Sequence, residues 1–206
     1  MKSKVIIFLV SLLFVKVNGI AQEFSFPLNA KGNIEYAESL DSKLNKQELF
    51  EKAKSWVISM SSGNYKDVVI DEEKETGIIT VRAGLDGHTT YNPFSGTTQE
   101  TILFTLRIKC EDNKYSYTIS DITLSKIYAG YGVNRSSTAM TESYKNYLKA
   151  KEDLVSVPND PNKSKKEKKD IIEDLEDDIE DYENSLGRAY NELNTMITSF
   201  KEKMQE

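Results

Sequence analysis

The residue types that could do chemistry are concentrated in one short stretch, CEDNKYSYTISDI, residues 110–122. It holds the only cysteine of the chain, Cys110, then acidic residues, then tyrosines at alternate positions. A reactive thiol needs exposure and neighbouring positive charge, which lower its pKa. The alternative is a β-hairpin in which the cysteine behaves as a small apolar core residue. The pattern of the two flanking strands decides between these readings.

The hairpin turn fixes which residues face each other. Asp112-Asn113 suits a two-residue turn, because both residue types tolerate a positive φ angle. Glu111 then lies opposite Lys114, a favourable charge pair, and Cys110 lies opposite Tyr115. This register needs no adjustment to bring the apolar positions of the two strands onto a common face.

The alternation of the first strand places Cys110 in an apolar row. Side chains alternate between the two faces of a strand, so the cysteine shares its face with Ile102, Phe104, Leu106 and Ile108. The second strand changes parity at Ser120-Asp121, which predicts a β-bulge there. We therefore predict that Cys110 points into the core and is not a nucleophile.

Other catalytic and metal-binding patterns are missing from the sequence. His88 is the only histidine, whereas a zinc site usually needs several His or Cys ligands. There is no GxSxG elbow, calcium loop or nucleotide fingerprint. Acidic residues at 71–73 and 173–183 fall in a predicted turn and on a polar helix face, where solvated surface is the expected role. We predict no catalytic residue, no metal and no cofactor, and hence a protein that is not an enzyme.

The best binding candidate is the segment LDGHTTYNPFSGTTQ, residues 85–99, which we predict to be a long loop. Loops of this length are often functional or mobile. His88, Tyr91 and Phe94 would give it amphipathic side chains for a ligand. The alternative is a flexible insertion without a binding role.

The first 21 residues have the order of a secretory leader. MKSK supplies positive charge, VIIFLVSLLFV is an apolar run, and Gly19 and Ala21 precede a cut before Gln22. An uncleaved anchor is the alternative, but the run is short against the roughly 20 residues that span a bilayer. We expect a periplasmic or extracellular protein, with no internal disulfide since it has one cysteine.

The charge balance excludes some partners. The whole chain has a net charge of −6. Removal of the leader would take three lysines with it, leaving 24 basic against 33 acidic residues, or −9. An acidic exported protein is a poor candidate for nucleic acid or anionic lipid. No other apolar run is long enough to cross a membrane once the leader is cleaved.

Periodicity predicts an α+β domain. A strand at 33–40 precedes a helix begun by a capping box of Asn45 and Glu48. Strand patterns follow at 65–72, 77–84, 100–111 and 114–127, and then a helix at 140–154. The order β-α-β-β-β-β-α suits a two-layer antiparallel sheet with helices on one face. We assign residues 22–154 to this domain, 155–164 to a linker and 165–206 to a C-terminal amphipathic helix.

The C-terminal helix carries an apolar stripe in heptad spacing, which must meet another surface. Five stripe residues are candidates for a partner interface: Leu175, Ile179, Leu186, Leu193 and Phe200. The 140–154 helix could cover the stripe as an antiparallel neighbour, which we prefer; a second copy or another envelope protein could also do so. At about 1.5 Å per residue the tail is more than twice as long as that helix. We therefore expect a protein partner or self-association, and a domain that still folds without 156–206.

Four segments carry a family resemblance: FPLNAKGNIEYAESL, SKLNKQELFEKAKSWV, EKETGIITV and FTLRIKCEDNKYSYTISDI. Together, over residues 24–127, they resemble a bacterial exported domain of unknown function described as having a TBP-like fold. The resemblance implies that fold and brings no catalytic motif. A fold name does not imply DNA binding, because function lies in sites. We expect a non-enzymatic exported module of the cell envelope; the alternative is a small-molecule or peptide binder, even an enzyme, that uses the 85–99 loop over the sheet.

Overall fold

The computed structural model describes residues 24–60, 63, 65–92, 96–129 and 133–206. The predicted leader, residues 1–21, and the candidate Phe94 lie outside these ranges.

The chain forms one antiparallel sheet and three α-helices. In order, the elements are β1 (Tyr36–Asp41), α1 (Lys46–Met60), β2 (Tyr65–Glu73), β3 (Ile78–Asn92), β4 (Gly96–Glu111), β5 (Lys114–Ala129), β6 (Val133–Ala139), α2 (Met140–Ser156), a short 3-10 helix (Val157–Asn159) and α3 (Lys165–Gln205). The predicted α+β class with a long C-terminal helix is confirmed. Strand β6 is an addition, formed by a segment that the sequence analysis treated as a connector.

The sheet order is β1-β5-β4-β3-β2, and every pairing is antiparallel. Strand β5 pairs with β4 along one edge. Its other edge is divided, because β1 pairs with residues 114–119 and β6 with residues 123–129. The two short strands therefore lie end to end beside the same long strand.

The β4–β5 hairpin has the predicted register. Glu111 pairs with Lys114 and Cys110 with Tyr115. The predicted bulge is also present, because the pairing passes from Leu103–Thr123 to Thr105–Ser120, leaving two β5 residues opposite one on β4. Asp121 is the extra residue and adopts a φ of 54°, a conformation that aspartate tolerates better than most residues.

The predicted 85–99 loop is wrong, because β3 and β4 continue through most of it as paired strands. The pairing runs from Leu85–Ile102 to Tyr91–Thr97, with one irregularity between Asp86 and Thr89. Gly87 sits at this irregularity, where a Cβ atom would overlap the carbonyl oxygen of Glu100. Strand pairing supplies hydrogen-bond partners to a polar backbone that would otherwise need water.

The first helix begins as predicted. The backbone N–H of Glu48 donates to Oδ1 of Asn45, and the backbone N–H of Asn45 donates to Oε2 of Glu48, each at 3.0 Å. This reciprocal capping box satisfies two of the N–H groups that a helix start leaves unpaired. The helix then buries one stripe, which includes Leu49, Ala53 and Trp56.

One face of the sheet packs on the helices and forms the core. Its apolar rows come from β3, β4 and β5: Ile79, Val81, Ala83, Leu85, Ile102, Phe104, Leu106, Ile108, Cys110, Tyr115, Tyr117, Ile119, Ile122 and Leu124. The opposite face is rich in threonine, serine and arginine and is open to solvent, as at Arg82 and Arg107. This is the two-layer arrangement expected of helices on one side of an antiparallel sheet.

The second half of α3 belongs to this core. Leu186, Leu193 and Phe200 are buried among residues of the sheet and the other helices. The ring of Phe200 lies 5.0 Å from that of Trp56, and the indole Nε1 of Trp56 donates to Ser199 Oγ at 3.2 Å. The predicted partner interface is therefore wrong at Leu186, Leu193 and Phe200, because the domain itself covers them. The predicted division into a 22–154 domain and a separate helix fails for the same reason.

The first half of α3 pairs with α2 as an antiparallel hairpin, the arrangement preferred from the short connection. Lys168 Nζ donates to the carbonyl of Pro158 at 3.1 Å near the turn, and Tyr147 Oη donates to Glu183 at 3.0 Å further along. Leu175 and Ile179 are half-buried in this region. The length that exceeds α2 is therefore taken up by the sheet and α1.

The segment before β1 closes the structure with two aromatic rings. Phe24 stacks on Tyr147 with ring centroids 5.1 Å apart. Phe26 makes edge contacts with Tyr144 at 5.0 Å and with Tyr190 at 5.5 Å. Aromatic pairs in such geometries stabilise a fold beyond their area burial, so this short segment holds α2 and α3 in their mutual position.

Candidate functional site

A polar groove lies between the far end of the sheet and the helical hairpin. Its cavity is about 440 Å³. Four elements line it: β5 with Leu124, Lys126 and Tyr128; β6 with Ser136 and Thr138; α2 with Glu142, Ser143 and Asn146; and α3 with Asp178, Asp181, Tyr182 and Ser185. We call this cavity the hairpin groove.

The lining follows the periodicity of each element. Alternate residues of β5 and β6 point into the groove, as a strand requires. On α3 the lining residues are spaced by three and four positions, which is one helix face. The bulge at Asp121 sets the parity of β5, so that Lys126 and Tyr128 face the helices rather than solvent. The walls are therefore regular elements and not loops.

An ion-pair network around Glu100 lies beside the groove and includes its lining residues Lys126 and Ser185. The carboxylate of Glu100 lies 2.8 Å from Lys126 Nζ and 2.5 Å from Arg188 Nη2, and it accepts a hydrogen bond of 3.0 Å from Ser185 Oγ. Burial works to raise the pKa of Glu100, but Lys126, Arg188 and Ser185 together lower it below its usual range. The carboxylate is thus ionised and joins β4, β5 and α3.

The lining also includes three acidic residues. Glu142, Asp178 and Asp181 line the groove, and none of them forms an ion pair with another described residue. They are exposed, so their charges are available to a ligand.

A buried hydroxyl also faces the cavity. Ser143 on α2 is only 7 % exposed and lines the groove. Within the described part of the chain its hydroxyl has no hydrogen-bond partner. The hydroxyl oxygen is not one of the fully buried unpaired atoms of the described residues, which are those of Tyr36 and Tyr115, so a ligand or solvent atom in the groove can reach it.

Two of the residues predicted for ligand binding, His88 and Tyr91, belong to β3, which does not line the groove. His88 is in β3, and β4 separates β3 from β5. Tyr91 is 75 % exposed and pairs with Thr97, which pairs with Ala129. Because Ala129 follows the groove residue Tyr128 and successive side chains alternate, Tyr91 points to the open face. Of the three candidates, Tyr91 is the one whose side chain the structure describes, and it lies outside the hairpin groove.

The hairpin groove was missed by the sequence analysis, although one signal was present. The predicted bulge reverses the parity of β5 and so turns Lys126 and Tyr128 toward the helices. In the sequence, this parity change is visible only through the apolar residues that follow it, Ile122 and Leu124. The contributions of β6 and α3 could not be found without the tertiary structure.

Cys110 is confirmed as a core residue. Its thiol is fully buried. Burial raises the pKa of the Cys110 thiol to about 11, although the charge of Lys46 acts in the opposite direction. At neutral pH the thiolate population is negligible, which removes this residue from nucleophilic chemistry.

A second polar cluster lies between β1, β5 and the end of α3. Tyr117 Oη donates to Glu38 Oε2 at 2.8 Å, and Lys201 also pairs with Glu38. The hydrogen bonds from Lys201 and then Tyr117 lower the pKa of the Glu38 carboxyl. The buried hydroxyl of the neighbouring Tyr115 has no partner among the described residues. This cluster packs around Phe200 and encloses no cavity that a ligand could enter, so its role is structural.

Two further properties of the described residues limit the chemistry. They contain no cluster of three or more His, Cys, Asp or Glu side chains placed to hold a metal ion. Among their helices, none combines the length and the hydropathy of a membrane span.

Comparison with known proteins finds a family model that matches part of the chain. Residues 38–125 match the model of a domain of unknown function (DUF4468) with TBP-like fold. A crystal structure of a TBP-like protein from Parabacteroides distasonis is 17% identical, with a TM-score of 0.54, and the match covers 86% of this chain and 96% of that one. A DUF4468 family protein from Bacteroides ovatus is 8% identical, with a TM-score of 0.40, and the match covers 53% of this chain and 64% of the other. No curated protein matches.

These findings confirm the resemblance and the TBP-like fold predicted from the sequence. The matched segment ends at residue 125. Most of the groove lining comes from residues after it, on β5, β6, α2 and α3.

Proposed function

From the TBP-like DUF4468 segment at 38–125 and the groove beside it, we propose that this protein is an exported, non-enzymatic binding module. The hairpin groove is its ligand site. The observation that carries the proposal is a cavity of about 440 Å³, walled by two strands and two helices and lined mainly by polar side chains. Ligand sites in proteins commonly have this volume and a few polar groups fixed on a rigid scaffold.

Binding is favoured over catalysis by the chemistry of the lining. The described lining residues offer hydroxyls, carboxylates, an amide and one amine, without a histidine or a thiol. A hydroxyl nucleophile needs an adjacent base within hydrogen-bond reach. The hydroxyl of Ser185 donates to Glu100, but that carboxylate is already engaged by Lys126 and Arg188.

Export is supported by the leader pattern in residues 1–21. The test is expression of the full chain in a bacterial host, followed by fractionation and N-terminal mass determination. We expect the mature protein outside the cytoplasm and beginning at Gln22. A full-length protein in the cytoplasmic fraction would refute export.

The groove assignment is tested by blocking it and comparing a matched variant. Ser136 lines the groove, and its neighbour Ser137 points to the opposite face of β6. A mixed panel of small amines, carboxylates and sugars is screened by amide chemical-shift changes. We expect shifts in β5, β6, α2 and α3 for at least one probe, lost in Ser136→Trp and kept in Ser137→Trp. Shifts that survive both variants would place binding elsewhere.

A protein partner or a second copy is the other candidate function, and a different surface supports it. Leu148 and Val155 are 48% and 74% exposed and lie seven residues apart on α2, hence on one face. Exposed apolar groups with this spacing suit helix–helix contact. Light scattering on the intact protein should show a dimer, and the double variant Leu148→Glu with Val155→Glu should be a monomer. A wild-type monomer at high concentration, with no captured partner, would contradict this candidate.

Nucleic acid is not proposed as a partner, because the chain is acidic.

A further inference from the structure

We propose that the hairpin groove recognises an organic cation, namely a protonated amine or a guanidinium group. This inference rests on the proposed function, since it specifies the ligand class of the same groove. The shared chemistry could come from a lysine or arginine side chain of a peptide or from a free polyamine.

The first argument is charge. The network of Glu100, Lys126 and Arg188 has two positive groups and one negative group, and so carries a charge of +1. The groove lining has three carboxylates without ion-pair partners among the described residues, those of Glu142, Asp178 and Asp181. The site as a whole therefore has an excess of two negative charges. Like charges near a concave wall raise the local concentration of a counter-ion.

The second argument is hydrogen bonding. Ionised carboxylates only accept hydrogen bonds, whereas ammonium and guanidinium groups only donate them. The two sets are complementary, and charge-assisted bonds of this kind are about twice as strong as neutral ones.

The third argument is the unpartnered hydroxyl of Ser143, which does not depend on the three carboxylates. Its side chain is more than nine-tenths buried and faces the cavity. Its oxygen is open to the groove and is not one of the fully buried unpaired atoms, so a donor group of a ligand can form the hydrogen bond that solvent otherwise supplies.

The fourth argument is aromatic. Tyr128 on β5 and Tyr182 on α3 both line the groove. The face of a tyrosine ring attracts a cation that lies within roughly 6 Å of its centroid. Two rings and three carboxylates favour a cation that has an apolar stem and a charged end, which describes a lysine, an arginine or a polyamine.

The test uses the mature protein and three matched probes in a calorimetric and NMR titration at low salt. The first probe is Nα-acetyl-lysine N-methylamide, which keeps a free ε-amine. The second is Nα-acetyl-norleucine N-methylamide, which lacks only that amine. The third is glutarate, an anion. We expect only the amine to bind, with groove amides shifted and with affinity reduced by added salt. Spermidine in a parallel titration decides the source: tighter binding than the lysine derivative favours a free polyamine, and weaker binding favours a peptide.

Matched variants locate the charge that matters. Asp178→Asn with Asp181→Asn removes two groove carboxylates, and we expect affinity for the amine to fall at least tenfold. Asp174→Asn with Asp177→Asn makes the same change of charge, at the same spacing on the same helix, but outside the lining. We expect this control to retain affinity within about twofold, since exposed charges outside the site are screened.

The outcomes separate this inference from the proposed function. If the norleucine derivative or glutarate binds in the groove as tightly as the amine, the proposal of a cationic ligand is overturned, while the groove remains a ligand site. If the control pair of variants weakens binding as much as the groove pair, recognition is a general effect of negative charge and the inference is also overturned. If neither these probes nor the wider panel shift any groove amide, both proposals fail.

Discussion

Glu100 on β4 and Arg188 on α3 lie 88 residues apart in sequence and form an ion pair of 2.5 Å. The same carboxylate pairs with Lys126 on β5 at 2.8 Å. One side chain therefore connects the sheet to the C-terminal helix beside the groove. Its loss would leave two cations without their counter-charge.

We predict that Glu100→Gln lowers the free energy of unfolding by about 1–3 kcal/mol, because removing one member of a partly buried pair leaves its partners uncompensated. Urea unfolding followed by circular dichroism measures the change. The control is Glu111→Gln, whose pair with Lys109 is exposed to solvent. Its unfolding midpoint should move far less, and equal effects of the two variants would contradict the prediction.

The same residue should give the stability a dependence on acid. The folded state holds the pKa of Glu100 below the ordinary value of 4.5, so the unfolded chain binds a proton at a higher pH than the native protein does. The stabilisation is complete above pH 4.5 and is lost as the pH falls through the lower, folded-state pKa. Unfolding curves at a series of pH values should therefore show the gap between the wild type and Glu100→Gln closing below pH 4.5. A gap that stays constant down to pH 3 would refute this assignment.

The C-terminal helix should be essential for folding. Leu193 is fully buried in the core, whereas Leu175 is half-buried at the hairpin end. Leu193→Ala should cost about 2–5 kcal/mol through lost burial and a cavity, and Leu175→Ala only about 1 kcal/mol. Thermal and urea unfolding provide the comparison.

Truncation tests the same feature more severely. Removal of 156–206 was expected from the sequence to leave a folded domain, but the structure predicts that the remainder exposes the apolar face of the sheet and loses cooperative unfolding. A truncated protein with sharp, dispersed NMR signals would show that α3 is dispensable.

Two neighbouring tyrosines should respond in opposite ways to loss of their hydroxyls. Tyr117 donates to Glu38, so Tyr117→Phe should destabilise the protein by about 1–2 kcal/mol. The buried hydroxyl of Tyr115 has no partner among the described residues, so Tyr115→Phe should be neutral or should stabilise by up to about 1 kcal/mol. The pair serves as its own control, and a larger loss at Tyr115 would reveal an unseen partner for that hydroxyl.

Cys110 should resist modification while the protein is folded. Burial raises its thiol pKa to about 11, so at pH 8 the reactive thiolate is scarce and inaccessible. A chromogenic disulfide reagent should label the native protein orders of magnitude more slowly than the urea-unfolded chain. Rapid, complete labelling of the native state would restore the thiol as a candidate reactive group.

Local patterns predicted local structure well. The β4–β5 register follows from turn residues and alternation, and the Asn45–Glu48 capping box follows from three-residue spacing. These features depend on neighbours in sequence, which a single chain displays directly.

Features that depend on distant partners were not predictable. Residues 85–92 and 133–139 are polar or rich in small residues and read as connectors, yet both are strands, because β4 and β5 supply their hydrogen bonds. The apolar stripe of α3 is visible in the sequence, but the sequence does not show which surface packs against it. The hairpin groove arises only where these unpredicted elements meet, so the sequence predicted its apolar neighbours and missed its polar lining.

Asp121 is the one surplus residue of β5, and the bulge absorbs it so that the far half of the strand keeps its faces. Deleting Asp121 would remove the bulge and leave a regular strand in which Lys126 and Tyr128 still face the helices. Pairing of the intact strand without the bulge would instead move every residue after Asp121 to the other face. Lys126 would then turn to solvent, and Glu100 would lose a counter-ion. A single unpaired position thus decides which chemical groups the cavity receives, without any change to the helices that surround it.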